Sequence, residues 1–295
     1  MIVAVVSYLY KRAKLTKPIW LGLGVHDIDH SLTEFPEVTI IIPTRDRIDL
    51  LRPCLASIQT LTNYPKYRIL VLDNDSKEPE SHKFFSAIES EVITVTPAPG
   101  EFNYSKIMNH GVDAANTDLV CLLNNDTVVQ SPHWLTDMVS HIEESSVGLV
   151  GGLLTYPGGS IQHAGIALGY RGLAGHVFAG QMPGRSTPAT EHCYEVSATT
   201  FACALTSRQL WNELQGLDED FKVGLNDVDF GLRLSAAGHK TVVCSHAQLV
   251  HLESKSRKSM RALKGASQAI TEVLNFSSKH RESGLREAYF RFETE

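Results

Sequence analysis

The stretch Leu119-Val120-Cys121-Leu122-Leu123-Asn124-Asn125-Asp126 decides the predicted fold. Its first five residues are apolar without a break, which is typical of a parallel strand that helices cover on both faces. The run stops at two amides and a carboxylate, so these polar side chains should lie just beyond the carboxyl end of a buried strand. Ligands of open α/β sheets bind at that edge.

Two earlier apolar stretches also end in polar residues, one in Pro43-Thr44-Arg45-Asp46 and the other in Asp73-Asn74-Asp75. Strands and helices therefore alternate, which predicts a doubly wound α/β unit whose three polar clusters meet at one edge of the sheet. The elements predicted in this half are strand 38–42, helix 50–58, strand 68–72, helix 78–88, strand 91–95, helix 105–115, strand 119–123, a helix from Pro132 with Ser131 as its N-cap, and strand 147–150.

The second half is less regular, and residues 151–198, rich in Gly, Pro and His, are interpreted as substrate-facing loops. Its predicted elements are strand 165–169, strand 199–205, helix 208–214, helix 226–237, and short strands 241–244 and 249–251. The predicted division of the chain is an N-terminal extension (1–37, of which 15–37 is a connecting segment), one domain (38–257) and a basic, amphipathic helical extension (258–295).

The composition excludes several classes of protein. The chain has 295 residues and a formal charge of -6, whereas a nucleic-acid binder needs a basic excess. Five cysteines without a C-x-x-C pair predict neither a disulfide framework nor a zinc cluster, and favour a reducing compartment. The apolar run at 2–10 is too short to span a bilayer; it is interpreted as a docked terminal element or a membrane-surface segment.

Three groups of residues are candidates for chemistry. Asn124-Asn125-Asp126 could bind a diphosphate and its cation, although an Asx-rich turn is the more common explanation of such a group when it is taken alone. Asp227 and Asp229 both lie in the first turn of a predicted helix, where the helix dipole accounts for one carboxylate but not for two beside an Asn. His251 ends a β-rich run, and imidazole is a common ligand for Mn²⁺-like ions as well as a common structural residue.

The sequence resembles glycosyltransferase family 2, which has the GT-A fold, and is most similar to the branch that builds bacterial surface polysaccharides such as O-antigen and capsule. Seven stretches between about residues 38 and 257 carry the resemblance, in family order. They are Ile42-Pro43-Thr44-Arg45-Asp46-Arg47, Val71-Leu72-Asp73-Asn74-Asp75-Ser76, Phe102-Asn103-Tyr104-Ser105, Leu123-Asn124-Asn125-Asp126-Thr127, Ile161-Gln162-His163-Ala164-Gly165, Asn226-Asp227-Val228-Asp229-Phe230 and His251-Leu252-Glu253-Ser254-Lys255-Ser256-Arg257.

The resemblance implies a role for each matching position. Asp126 matches the last carboxylate of the family's D-x-D motif and His251 the late metal-binding histidine, so the two would hold Mn²⁺ or Mg²⁺. Asp227 matches the catalytic base, with Asn226 in the place of the family's Glu. The implied contacts to the nucleotide sugar are Pro43, Thr44 and Arg45 along the nucleotide, Asp73 on a pyrimidine base, Asn103 at the base pocket, and Asn124, Asn125 and Asp126 of the D-x-D motif, whose first position is Asn here.

The predicted function is therefore an inverting, metal-dependent transfer of a hexose or deoxyhexose from a UDP- or dTDP-sugar to a saccharide or lipid-linked saccharide. The expected location is the cytoplasm or the inner face of the cell membrane. No nucleic-acid partner is expected, and a peripheral contact to a membrane or to a further catalytic domain is possible. A sugar-phosphate nucleotidyltransferase would need a glycine-rich loop after the first strand, which 43–46 lacks, and Gly22-Leu23-Gly24 is not a dinucleotide fingerprint. A non-catalytic nucleotide-sugar-binding module remains the alternative from another class.

Overall fold

The computed structural model of the chain describes residues 15–26, 32, 34–98, 100–184, 187, 190–252, 263–281 and 286–294. The described strands are β1 (Leu15–Trp20), β2 (Val25–His26), β3 (Val38–Thr44), β4 (Tyr67–Asp73), β5 (Ile93–Pro97), β6 (Leu119–Leu123), β7 (Thr127–Val129), β8 (Val147–Thr155), β9 (Ile161–His163), β10 (Ile166–Leu168), β11 (Ala174–His176), β12 (Cys193–Val196), β13 (Cys203–Ser207), β14 (Lys240–His251) and β15 (Phe290–Thr294). The described helices are α1 (Ile48–Leu61), α2 (Pro79–Ile88), α3 (Tyr104–Ala114), α4 (Trp134–Ile142), α5 (Arg208–Glu213), α6 (Asn226–Ala236) and α7 (Leu263–Lys279).

Eleven of the described strands form one large mixed sheet with the order β2-β12-β14-β8-β13-β6-β3-β4-β5, to which β7 adds beside β14 and β9 beside β8; β1 with β15 and β10 with β11 form two separate two-stranded sheets. In the half that contains β6, β3, β4 and β5, each strand is parallel to its neighbours. β13 then joins the two halves by running antiparallel to both β6 and β8. The predicted fold class, an α/β domain with a doubly wound mixed sheet, is confirmed.

Helices cover both faces of the sheet because successive residues of its central strands point to opposite sides. Cys121 and Leu123 belong to the core beneath α1, α2 and α4. Val120 and Leu122 belong to the core beneath α3, α5 and α6. All five residues of β6 are buried, as the unbroken apolar run predicts.

The two ends of the chain contain strands that the sequence analysis did not predict. β1, within the predicted connecting segment, pairs antiparallel with β15, near the carboxyl end of the chain. β2 adds to the edge of the large sheet by pairing with β12. Trp20 packs on Tyr194 of β12, with ring centroids 5.3 Å apart. Since the partners are far apart in sequence, no local pattern reveals this pairing. The predicted helix in 258–295 is found as α7.

Other boundaries also differ from the prediction; the strand predicted at 199–205, for example, is β13 (Cys203–Ser207). The helix predicted from Pro132 begins at Trp134, and Ser131 is not its N-cap. Ser131 Oγ instead donates to the carbonyl of His246 at 2.7 Å and accepts from the backbone N–H of Gln248 at 3.0 Å. The two short strands predicted at the end of the domain are one strand, β14, with an irregularity between Cys244 and Gln248. Ser131 supports that irregular part of the strand.

In the part of the chain that the structure describes, no helix is both long and apolar enough to cross a membrane. The apolar run at 2–10 lies outside the described residues.

Candidate functional site

The polar residues that end β3, β4 and β6 meet at one edge of the sheet. Asn125 Nδ2 donates to Thr44 Oγ1 at 2.9 Å, and the backbone N–H of Asn74 donates to the Thr44 carbonyl at 2.8 Å. Asp73 lies opposite Thr44 in the parallel register, with Pro43 one position earlier. The predicted meeting of the three clusters is confirmed, and its cause is the parallel direction of the three strands.

The loops after β3 and β4 are tied together by Asp46. Its Oδ1 accepts the backbone N–H groups of Lys77 and Glu78 at 2.7 and 2.8 Å, at the start of α2. Burial alone would raise the pKa of Asp46, but these two N–H donors and Ser81 lower it overall. Asp46 adopts a φ of 56°, which is uncommon for a residue with a side chain. The loop that carries the predicted nucleotide contacts is therefore held in one conformation.

Two arginines in that loop have different surroundings. Arg45, the predicted nucleotide contact, is exposed. Arg47 is bound by both oxygens of Asp49 at 2.8 Å each. Asp49 is the main reason that the pKa of Arg47 is raised, and Asp126 contributes to it. Arg47, for which the sequence analysis gave no role, is thus a cation near the Asp126 carboxylate.

Asp126 and His251 are in direct contact although they are 125 residues apart: Oδ1 of Asp126 lies 3.0 Å from Nε2 of His251. The pairing of β7 with β14 brings them together, because His251 is opposite Thr127, and the N–H of Leu252 donates to the Asp126 carbonyl at 2.8 Å. Both side chains are about one-tenth exposed. Asn124 Nδ2 is 3.5 Å from the same ring nitrogen. The two predicted metal ligands are thus adjacent at the edge of the sheet.

Gln162 fixes the orientation of the His251 ring. Its Oε1 lies 2.6 Å from Nδ1 of His251, so that nitrogen carries a proton and the lone pair of a neutral ring is on Nε2, toward Asp126. A hydrogen bond of this kind to the second nitrogen is typical of metal-ligating histidines. Nε2 of His251 and the carboxylate of Asp126 are therefore a donor set that suits a divalent cation such as Mn²⁺ or Mg²⁺.

Asp227 lies in the first turn of α6, after Leu225 in the left-handed conformation. It is half-buried, and its Oδ1 accepts the N–H of Val228 at 2.9 Å. Burial and, secondly, the Asp227 carboxylate raise the pKa of Tyr104, which places the two side chains near each other. Tyr104 donates to the carbonyl of Phe201 at 3.1 Å, and the neighbouring Ala202 carbonyl accepts the N–H of Asn124 at 3.1 Å. The 201–202 loop thus connects the surroundings of Asp227 with the D-x-D region.

Asn103, the predicted base-pocket residue, has two contacts within the protein. Its Oδ1 caps α3 by accepting the N–H of Lys106 at 3.1 Å, and its Nδ2 donates to the carbonyl of Glu219 at 2.9 Å. These bonds hold the start of α3 against the segment before α6. A contact to the base stays a prediction.

His163 is fully buried and has partners on both ring nitrogens. Nε2 accepts the N–H of Gly165 at 3.2 Å and the N–H of Thr200 at 3.4 Å, so the proton is on Nδ1. That proton is donated to Nδ1 of His176, 2.8 Å away. Burial, then His176 and His251, hold the pKa of His163 well below its usual range, and the ring is neutral. His163 is thus bonded on both sides within the protein, and His176, on β11, is the exposed member of the pair.

Four residues of the site have no role predicted from the sequence: Gln162, Tyr104, Arg47 and His176. The first three lie within the stretches that carry the family resemblance, which was the available signal. His176 lies in the Gly- and His-rich segment, where no periodicity distinguishes one histidine from another.

Comparisons with known proteins agree with this geometry. The family model "Glycosyl transferase family 2" matches residues 39–214. The chain is 38% identical over 227 residues to "O-antigen biosynthesis protein RfbC" of Myxococcus xanthus, which is 76% of this chain and 18% of that protein. It is 37% identical over 228 residues to "Uncharacterized protein y4gI" of Sinorhizobium fredii (strain NBRC 101917 / NGR234), which is 75% of this chain and 25% of that protein. The chain spans a quarter or less of these two relatives.

Two solved structures have a similar fold. One is "Mannosyltransferase PcManGT from Pyrobaculum calidifontis in complex with GDP-Man and Mn2+", with a TM-score of 0.62 and 16% identity over 97% of this chain and 74% of that one. The other is "Crystal structure of GalNAc-T7 with UDP, GalNAc and Mn2+", with a TM-score of 0.63 and 12% identity over 87% of this chain and 59% of that one. At these identities the likeness shows the fold, which is that of GT-A glycosyltransferases.

Proposed function

The chain belongs to glycosyltransferase family 2, and we propose that it transfers a sugar, with inversion, from a nucleoside-diphosphate sugar to a saccharide acceptor. The observation that carries this proposal is the contact between Asp126 and His251 at the carboxyl edge of the sheet, at 3.0 Å. The name of the Myxococcus xanthus relative supports an acceptor that belongs to a surface polysaccharide such as O-antigen.

The nucleotide lies, in this proposal, across the ends of β3, β4 and β6. Thr44 and Asn125 are bonded to each other there, and Asp73 follows on the neighbouring strand. Asp73 Oδ1 already accepts the N–H of Ser76 at 2.9 Å, which holds the carboxylate in place and leaves its second oxygen to accept from a pyrimidine N–H. The proposed donor is therefore a UDP- or dTDP-sugar. Arg45 and Arg47 supply positive charge on the diphosphate side of the site.

The residues present fit a divalent cation. Two oxygen acceptors, Gln162 Oε1 and Asp126 Oδ1, flank the His251 ring at 2.6 and 3.0 Å. With the Nδ1 proton of a neutral ring donated to Gln162, Nε2 of His251 and the carboxylate of Asp126 would hold the cation together. When bound, Mn²⁺ or Mg²⁺ supplies Lewis-acid stabilisation of the diphosphate leaving group. The Mn²⁺ in the names of both similar structures supports this assignment.

Asp227 is the proposed base. Its carboxylate accepts the proton of the acceptor hydroxyl as that oxygen forms a bond to the anomeric carbon, and the bond from this carbon to the diphosphate breaks. Because the hydroxyl attacks from the face opposite the leaving group, the anomeric centre is inverted. The half-buried position of Asp227 beside Tyr104 supports the assignment, since a base has to reach an external hydroxyl.

A thermal-shift screen of nucleotide sugars with Mn²⁺ or Mg²⁺, followed by a transfer assay, tests the proposal. A ligand that binds only the folded state raises the Tm by mass action, so the screen identifies the donor. Transfer of the sugar from that donor to a saccharide supports the proposal. Binding of the donor with neither hydrolysis nor transfer would favour the non-catalytic module instead.

A further inference from the structure

Three buried side chains from separate elements converge near the β2 edge of the sheet. His141 is in the last turn of α4, Cys193 begins β12, and Cys244 is on β14. Their ligand atoms all lie within 4.8 Å of one another, and the residues are 1%, 1% and 0% exposed. The cluster is separate from Asp126 and His251, because Cys244 precedes His251 by seven residues on the same strand.

The His141 ring is oriented as metal-ligating histidines are. Its Nδ1 is 3.6 Å from Oε1 of Glu144, whereas its Nε2 is buried and has no hydrogen-bond partner among the described residues. An unpaired ring nitrogen in the interior is costly and requires an explanation. A carboxylate beside one ring nitrogen is typical of metal-ligating histidines.

The two cysteines supply the sulfur ligands of the cluster. The thiolate is the form of cysteine that binds metals. Both sulfur atoms lie within 4.8 Å of each other and of a ring nitrogen of His141, and both residues are buried.

We propose that His141, Cys193 and Cys244 form a second metal site, which binds a zinc-like divalent cation through one imidazole and two thiolates. Two sulfur atoms on one tetrahedral zinc ion lie about 3.8 Å apart, from Zn–S bonds of about 2.3 Å, so small side-chain movements bring these ligand atoms onto one ion. Binding releases the two thiol protons, and the ion with two thiolates is neutral. The described residues supply three ligands, as in zinc sites that keep one position for water.

The ion cross-links α4, β12 and β14, and it does so beside the edge strand β2. His26 of β2 contacts Glu144 at 3.1 Å through Nδ1 and Glu195 at 3.2 Å through Nε2. Glu144 therefore connects the edge strand with His141. The site stabilises this end of the sheet and takes no part in the transfer reaction, so it is independent of the proposed function.

Cobalt titration of the metal-free chain tests the site, because Co²⁺ bound to thiolate has a charge-transfer band in the near ultraviolet. We expect the wild type to show the band and to saturate at about one ion per chain at this site. Asp126→Ala should keep the band, which separates the site from the proposed catalytic one. Cys193→Ser and Cys244→Ser should each lose it.

Cys121→Ser is the matched control. Cys121 and Cys203 are also a buried pair in contact, but no histidine or acidic group completes a cluster with them in the described residues. This variant should keep the band.

The proposal is wrong if the wild type lacks the band, if the band survives Cys193→Ser, or if a disulfide joins Cys193 and Cys244 and the reduced chain takes up no cobalt. Should the cysteine variants not fold, X-ray absorption of the zinc-loaded wild type decides: two sulfur ligands support the site, and none overturns it.

Discussion

Asp227 and Asp229 lie two residues apart in the first turn of α6, yet their surroundings differ completely. Asp229 is fully buried; its Oδ1 contacts Lys279 Nζ and His280 Nε2, each at 2.8 Å, and its Oδ2 accepts from Arg233 Nε at 2.8 Å. Asp227 is half-buried beside Tyr104. The reason is helix geometry, since residues two apart point about 200° away from each other. Asp229 therefore holds α7 to α6, whereas Asp227 is the carboxylate that we propose as the base.

We predict that Asp227→Asn reduces transfer by a factor of about 10² to 10⁴, the usual contribution of general-base catalysis. Donor affinity and the Tm should barely change, because Asn keeps the shape of the side chain and its bond to the N–H of Val228. The measurement is the transfer rate at saturating donor, together with nucleotide affinity and a melting curve. Normal transfer by this variant would show that Asp227 is not the base.

Asp229→Asn is the matched variant and should act on stability. Removing one partner of a buried ionic group costs about 3 to 5 kcal/mol, because the remaining charges stay buried without compensation. Burial raises the pKa of Asp229, but His280, Lys279 and Arg233 lower it to about 2. Its stabilising effect is therefore present above the unfolded value of 3.8 and is lost as the pH falls toward about 2. Melting curves should show a difference from wild type at pH 7 that narrows below pH 4; an equal difference at every pH would contradict this.

We predict that Asp126→Ala abolishes metal-dependent binding of the nucleotide, because it removes the carboxylate that faces His251. Titration calorimetry with UDP or dTDP, with and without Mn²⁺, measures the effect. Metal-independent affinity should persist, which also shows that the variant is folded. If Mn²⁺ still raises the affinity as in the wild type, Asp126 is not a ligand.

Gln162→Ala should weaken metal binding by a factor of about 10 to 100, the usual effect of removing the hydrogen bond that orients a metal-ligating histidine. Titration with Mn²⁺, monitored by electron paramagnetic resonance of the ion, gives the metal affinity without any transfer assay. Gln248→Ala is a suitable control, because Gln248 is a neighbour of His251 on β14 whose Nε2 donates to the Ser245 carbonyl at 3.2 Å. If Gln162→Ala and Gln248→Ala bind Mn²⁺ with equal affinity, Gln162 does not orient the metal-ligating histidine.

Asp73→Asn should weaken nucleotide binding by about 1 to 3 kcal/mol even without metal, since it removes a charged acceptor of a hydrogen bond from the base. The Asn side chain can still accept the N–H of Ser76, so the turn after β4 should survive. Calorimetry in the presence of a chelator measures the loss. A loss that appears only with metal would show that Asp73 does not bind the base.

His163→Ala should lower the Tm, because the N–H groups of Gly165 and Thr200 lose their acceptor inside the protein. His163 is 0% exposed and contacts His176, so we expect it to support the loop and not to contact a saccharide directly. The measurement is the kcat of the folded variant compared with that of the wild type, together with the two Tm values. A loss of kcat by a factor of more than about 100 without any change in Tm would point to a direct role in the reaction instead.

The sequence alone determined the fold of the central domain. Unbroken apolar runs that end in polar clusters are a local signal, and parallel strands place those ends at one edge without further information. The meeting of Thr44, Asn74 and Asn125 therefore followed from pattern alone. The family resemblance, carried by seven stretches in order, is now supported by the match of the family model over 39–214. The domain limits, the choice of donor and the cellular location stay predictions.

Only the tertiary structure decided which polar residues work together. His251 meets Asp126 through the pairing of β14 with β7, and Gln162 reaches the same ring from β9; each contact joins positions about 90 to 125 residues apart. The cysteine spacing predicts no zinc cluster, and the convergence of His141, Cys193 and Cys244 from a helix and two strands, on which our proposal of a metal site rests, is visible only in the tertiary structure. Spacing along the chain detects sites built on one element or one turn, whereas these sites depend on strand pairing between distant segments, which a single sequence does not specify.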